Sequence, residues 1–63
     1  MNSMMRWFEY GHLPTALQEV SKPVCELAGT MDRRVPECAE KTAGLRKLLE
    51  AKDCFVRASM EAK

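Results

Sequence analysis

The sequence predicts an all-α fold, a helical hairpin that assembles as a helical homo-oligomer, and three observations predict it. Leu13, Leu17, Val20, Val24, Leu27 and Met31 recur at intervals of four, three, four, three and four, a narrow apolar seam on one face of a helix. A second apolar face, formed by Cys38, Leu45, Leu48, Leu49, Phe55 and Val56, follows after a short connection. The chain has only 63 residues, a length at which folding buries roughly 60% of the surface of the unfolded chain. One hairpin covers only one side of each apolar stripe, so the remainder is expected to pack against identical copies.

The single domain divides into four parts. Residues 1–5 are Met-rich and read as a frayed start. Residues 6–13 hold three of the four aromatic side chains, Trp7, Phe8 and Tyr10, with His12 close behind. These rings lie outside both helical patterns and therefore need a partner, a core or a ligand. Large apolar rings dominate small cores, so Trp7 and Phe8 read as plugs at the open end of the hairpin. Tyr10 suits either role, because its phenol is amphipathic and the turn residue Gly11 lets another molecule approach the backbone. His12 reads first as a turn or cap residue.

The first arm spans residues 14–33. Pro14 suits the first helical position, whereas Pro23 removes a backbone donor mid-pattern and should kink or break the arm near residues 21–23. Ser21 would cap the restart, and Lys22 would stand beside the freed backbone groups. Asp32-Arg33-Arg34-Val35 reads as a tight link, and a second arm covers residues 36–62. Pro36 fits its first turn, and Glu37 and Glu40 favour its positive end. At ~1.5 Å per residue the arms measure roughly 30 and 40 Å, and the tight link folds them into a hairpin.

The second arm also carries a polar face, where Arg46–Glu50 and Asp53–Arg57 are spaced to pair, each worth a few tenths of a kcal/mol. Lys41 and Lys52 project into the apolar face, where each ammonium must snorkel outward or meet an anion. Gly44 costs ~1 kcal/mol relative to Ala and permits the close approach of another backbone.

Composition excludes several function classes. Three cysteines at wide spacing, with no secretory signal before them, point to reduced thiols in a cytosolic protein, most simply small buried hydrophobes. A metal site would need converging ligands, and His12 has no second His or paired Cys at ligand spacing. Ten basic residues against nine acidic ones create no field that would draw the chain to DNA or a membrane surface. No apolar run approaches the roughly 20 residues that cross a bilayer. No Ser-His-Asp or Cys-His set, phosphate loop or isolated carboxylate pair emerges, so neither enzyme activity nor a cofactor is expected.

Phe8-Glu9-Tyr10-Gly11-His12-Leu13-Pro14, Leu17-Gln18-Glu19-Val20-Ser21-Lys22-Pro23 and the block from Gly44 to Ala58 resemble a family of small phage helical-hairpin proteins, the anti-CBASS sponges. The resemblance covers residues 8 to 58. It implies a protein that sequesters cyclic oligonucleotide second messengers in the cytoplasm of an infected bacterium, without cleaving them. Family members form homohexamers that hold cyclic dinucleotides between paired protomers, and some hold cyclic trinucleotides near three-fold axes. The resemblance makes Tyr10, with Gly11 and His12 beside it, and Lys22 the dinucleotide site. It makes Arg46 or Arg57 the group that meets phosphate in a trinucleotide pocket. Two other classes compete with this reading. One is a structural or protein-interaction module whose apolar seam receives a partner helix. The other is a small DNA-binding regulator, which the balanced charge and the lack of a recognition helix argue against.

Overall fold

The computed structural model describes residues 2–61, which form a 3-10 helix Ser3–Phe8 followed by two α-helices, α1 Thr15–Arg34 and α2 Ala39–Glu61. α1 and α2 pack as a hairpin within an envelope of 39 × 18 × 15 Å. The N-terminal segment lies along one side of the hairpin, antiparallel to α1 and parallel to α2. Asn2 bonds Asp32 and Thr42, the Phe8 carbonyl meets Cys25, the Trp7 carbonyl meets Lys52, and the Gly11 carbonyl meets Gln18.

Residues 2–5 are therefore a built part of the fold rather than a frayed start; Met1 lies outside the described residues. Asn2 explains the difference. It is 3% exposed, and its Oδ1 caps the 3-10 helix by accepting the Met4 N–H at 2.9 Å. Its own amide donates to Thr42 Oγ1 at 2.9 Å and to Glu37 Oε2. Met4 and Met5 then pack against a core of Phe8, Cys25, Ala28 and Leu45.

α1 runs through Pro23 without interruption, so the break expected at residues 21–23 does not divide it. Proline removes one ladder bond, yet its φ is already helical. On either side of it Ser21, Cys25 and Ala28 are buried, holding both halves of the helix in one packed line. Ser21 is consequently a core residue and not a cap, and its hydroxyl has no hydrogen-bond partner among the described residues. Pro14 takes the N-cap position, so the helix starts at Thr15, one residue later than expected, and the Pro14 carbonyl accepts from Leu17 and Gln18.

The packed line is offset by one residue from the apolar seam. Close approach of α1 to its neighbours selects the small side chains of Ser21, Cys25 and Ala28, while Val20, Val24 and Met31 are half-buried on one flank and Leu27 is 48% exposed. On α2, Leu45 is buried and Leu48, Leu49 and Val56 are half-buried, but Phe55 and Cys38 are exposed.

The link also differs from expectation. Asp32, Arg33 and Arg34 complete α1, Val35 caps it by donating to the Met31 carbonyl, and α2 begins at Ala39 rather than at Pro36. The last predicted residue of the second arm, Ala62, lies outside the described residues. Asp32 is drawn back by the Lys41 ammonium, which contacts Asp32 Oδ1 at 2.9 Å, the Asp32 carbonyl at 2.7 Å and Glu37 Oε1 at 3.0 Å. Lys41 thus meets anions instead of snorkelling, and its side chain is only 5% exposed.

The Lys41 hydrogen bond, reinforced by the Asn2 backbone N–H, holds the Asp32 carboxyl below the ordinary carboxylate range. The Asp32 bond likewise raises Lys41 above the ordinary lysine value. A depressed carboxyl stabilises the fold above its unfolded pKa of ~4 and loses that contribution as pH falls; a raised lysine does so below ~10.4 and loses it as pH rises. The thermal midpoint is expected to be flat between about pH 5 and 9 and to decline on both sides. Asp32→Asn should lower the plateau and flatten the acid decline, and an unchanged acid slope in circular-dichroism melts would contradict this assignment.

Candidate functional site

The N-terminal segment ends in a turn, Tyr10-Gly11-His12-Leu13, closed by a hydrogen bond from the Leu13 N–H to the Tyr10 carbonyl at 3.0 Å. Gln18, in the first turn of α1, anchors it by donating to the Leu13 carbonyl at 2.7 Å and the Gly11 carbonyl at 3.4 Å. Tyr10 is half-buried and packs against the core, whereas Gly11 and His12 are exposed. A side chain at Gly11 would meet nothing within 4 Å and its φ is not positive. Glycine there is not demanded by strain or by the protomer's own packing, and the backbone stands open to an approaching group.

The antiparallel register places Lys22 near this turn. Phe8 lies level with Cys25 and Gly11 with Gln18, so Tyr10, between them, lies level with the turn of α1 that carries Ser21 and Lys22. Lys22 is exposed, one helical turn beyond Gln18 on the same side of the helix. Tyr10, Gly11 and His12 thus lie together in the turn, an aromatic face beside open backbone, and the exposed Lys22 lies on α1 at about the level of Tyr10.

Arg46 and Arg57 are exposed on the same face of α2 but three turns apart, roughly 16 Å at ~1.5 Å per residue. One protomer cannot bring both to one phosphate. Arg46 lies a turn beyond Thr42, beside the start of the 3-10 helix, and Arg57 lies beyond Lys52, toward the end occupied by the Tyr10 turn. The expected pairs Arg46–Glu50 and Asp53–Arg57 are not among the ion pairs of the described residues. Arg57 instead donates to Cys54 Sγ at 3.4 Å, and Asp53 takes Lys52 at 3.1 Å. Both carboxylate partners are exposed, where water competes effectively for a long side chain.

Two aromatic assignments separate. Phe8 is 3% exposed and is a core plug, but Trp7 is 53% exposed. Ordering of the 3-10 helix explains this, because adjacent residues in it face different directions. Trp7 carries the Arg6 guanidinium 4.8 Å from its ring centroid, and its carbonyl accepts from Lys52 at 3.4 Å. Of the cysteines only Cys25 is buried; Cys38 and Cys54 are exposed. Burial pushes the Cys25 thiol up despite the nearby Lys52 ammonium, so it stays protonated and donates to the Phe8 carbonyl.

Sequence reasoning missed Asn2 and Gln18, the residues that hold the segment and its turn in place. Neither carries a periodic or charge signal; only an Asn before a short helical stretch hinted at a cap. Among the described residues no helix is long and apolar enough to cross a membrane. The chain matches no protein-family model, no curated protein and no solved structure.

Truncating Phe8 to Ala should cost ~3–5 kcal/mol, enough to unfold much of a domain this small. Trp7→Phe should stay within ~0.5 kcal/mol. Urea titration followed by circular dichroism checks the pair, and a Trp7 variant as damaging as the Phe8 variant would contradict the placement.

Proposed function

We propose that the chain binds and sequesters cyclic oligonucleotide second messengers, cyclic dinucleotides first and cyclic trinucleotides second, and so blocks CBASS signalling in the cytoplasm of an infected host bacterium. It acts by binding alone, as a homohexamer. The observation that supports this reading is the turn that presents Tyr10 beside the open Gly11-His12 backbone, with the exposed Lys22 at about the same level on α1. It joins the resemblance of residues 8 to 58 to the anti-CBASS sponges.

The chemistry suits the ligand. A nucleobase stacked on an aromatic ring gains ~1–3 kcal/mol, and each phosphodiester calls for a cation or backbone N–H donors. A site of one ring and one ammonium is half of what a two-base, two-phosphate ring requires. A symmetric pair of protomers would supply the other half, which is why the ligand is assigned to the boundary between copies. Arg57 is the better candidate for phosphate in a second pocket, since it lies beyond Lys52, toward the end of the hairpin occupied by the Tyr10 turn. Arginine grips phosphate through two parallel donors.

A protein-interaction module is the second reading, favoured by an apolar groove of about 570 Å³ between α1 and α2 that a partner helix would fill. Tyr10→Ala separates the two. Calorimetry with a panel of cyclic di- and trinucleotides should show dinucleotide affinity falling by ~1–3 kcal/mol, roughly 5- to 150-fold, while the oligomer persists. No binding of any panel member by the unaltered protein would remove the sponge reading.

A further inference from the structure

Lys41 and Lys52 stand eleven residues apart on α2, and Ser21 and Asp32 stand eleven residues apart on α1. Eleven residues make three helical turns, so each pair returns to one face of its helix, roughly 16 Å apart. The two helices form an antiparallel hairpin in which Lys41 holds Asp32 at 2.9 Å. Three turns from that contact, Lys52 therefore faces Ser21 as Lys41 faces Asp32.

The two ammoniums are met differently. Lys41 takes a carboxylate at 2.9 Å, a carbonyl at 2.7 Å and a second carboxylate at 3.0 Å. The Lys52 side chain is only 12% exposed, yet it holds the Trp7 carbonyl at 3.4 Å, near the outer limit of a hydrogen bond, and Asp53, itself 47% exposed, at 3.1 Å. Ser21 is fully buried, and its hydroxyl has no hydrogen-bond partner among the described residues. It does not even take the carbonyl one turn back, the usual recourse of a serine inside a helix. A buried hydroxyl kept in that state is costly and marks a place where something else is bound. Cys25, one turn from Ser21, gives its proton to the Phe8 carbonyl and leaves that hydroxyl unanswered. An ammonium and a hydroxyl thus face each other as donors, and what two facing donors hold is an oxyanion.

We propose that Ser21 and Lys52 form an inner site for a phosphate group, entered between the N-terminal segment and α2. Phosphate oxygens replace the Trp7 carbonyl and Asp53 as partners of Lys52 and accept a hydrogen bond from Ser21. The site lies at about the level of Tyr10. A phosphodiester stacked against that ring is one such group, and inorganic phosphate is the simplest. Each part comes from one protomer, so the site needs neither a second copy nor a cyclic nucleotide.

Circular-dichroism melts in millimolar sodium phosphate, against sodium chloride of equal ionic strength, test the site. The midpoint of the unaltered chain should rise saturably, by roughly 4–8 °C once phosphate reaches about five times its Kd. Ser21→Ala should melt no lower than the unaltered chain in chloride, because it removes an unpaired hydroxyl, and should lose most of the rise. Lys52→Met, which keeps the stem, should lose it too, whereas Lys47→Met on the exposed face of α2 controls for the lost charge and should keep it. If Lys52→Met fails to fold, Ser21→Ala decides alone. No rise in the unaltered chain, or an equal rise in Ser21→Ala, would overturn the proposal, since a rise shared by all variants is the general effect of an excluded salt. The same melts with a cyclic dinucleotide separate the two readings. A Ser21-dependent rise with phosphate and none with the dinucleotide would end the sponge reading and keep this site.

Discussion

Lys41 carries a positive charge into the tip of the hairpin, and the arrangement of all three helices depends on how that charge is met. An ammonium out of water is tolerated only when paired and hydrogen-bonded. Here the last turn of α1 offers the Asp32 carboxylate and carbonyl, and the link offers Glu37. The same two carboxylates then receive Asn2, through its backbone N–H and its side-chain amide. One cluster thus closes the hairpin, ends α1 and fastens the start of the N-terminal segment. Without it the segment would have no fixed register along the groove.

Register is what turns this local cluster into a site some distance away. With Asn2 fixed at the tip, the 3-10 helix delivers Phe8 to Cys25 and the turn delivers Gly11 to Gln18. Tyr10 is therefore half-buried in a defined place, level with Lys22, with little freedom left to lose on binding. The N-terminal segment lies against one side of the hairpin, and an apolar groove lined by Leu27, Met31, Gly44 and Leu48 stays open between α1 and α2.

The two helices were legible in the sequence because their apolar spacing is strong and Pro14 and Pro36 mark their starts to within a few residues. The core line was not. Periodicity reports which face is apolar, but close packing chose the smaller neighbours Ser21, Cys25 and Ala28, and the branched seam was turned aside. The 3-10 helix was illegible for a related reason. It is too short for periodicity, and Asn2, which holds it, acts through hydrogen bonds to Asp32, Glu37 and Thr42, far along the chain. Tyr10, Gly11, His12 and Lys22 could be named from the chain, but the level at which the turn meets α1 could not. That level follows from the antiparallel register, which no local pattern encodes. Lys41 illustrates the middle case: its conflict with the apolar face was visible, and only the fold shows that Asp32 resolves it.

The most direct test of the account is recovery of ligand from the native protein. The chain would be mixed with a slight deficit of cyclic dinucleotide, freed of unbound ligand by rapid filtration, then heat-denatured and its released nucleotide analysed by chromatography. A sponge retains the ligand while folded and returns all of it, chemically intact, on unfolding. Ligand that passes straight through the filter, or that returns as linear product, would contradict it.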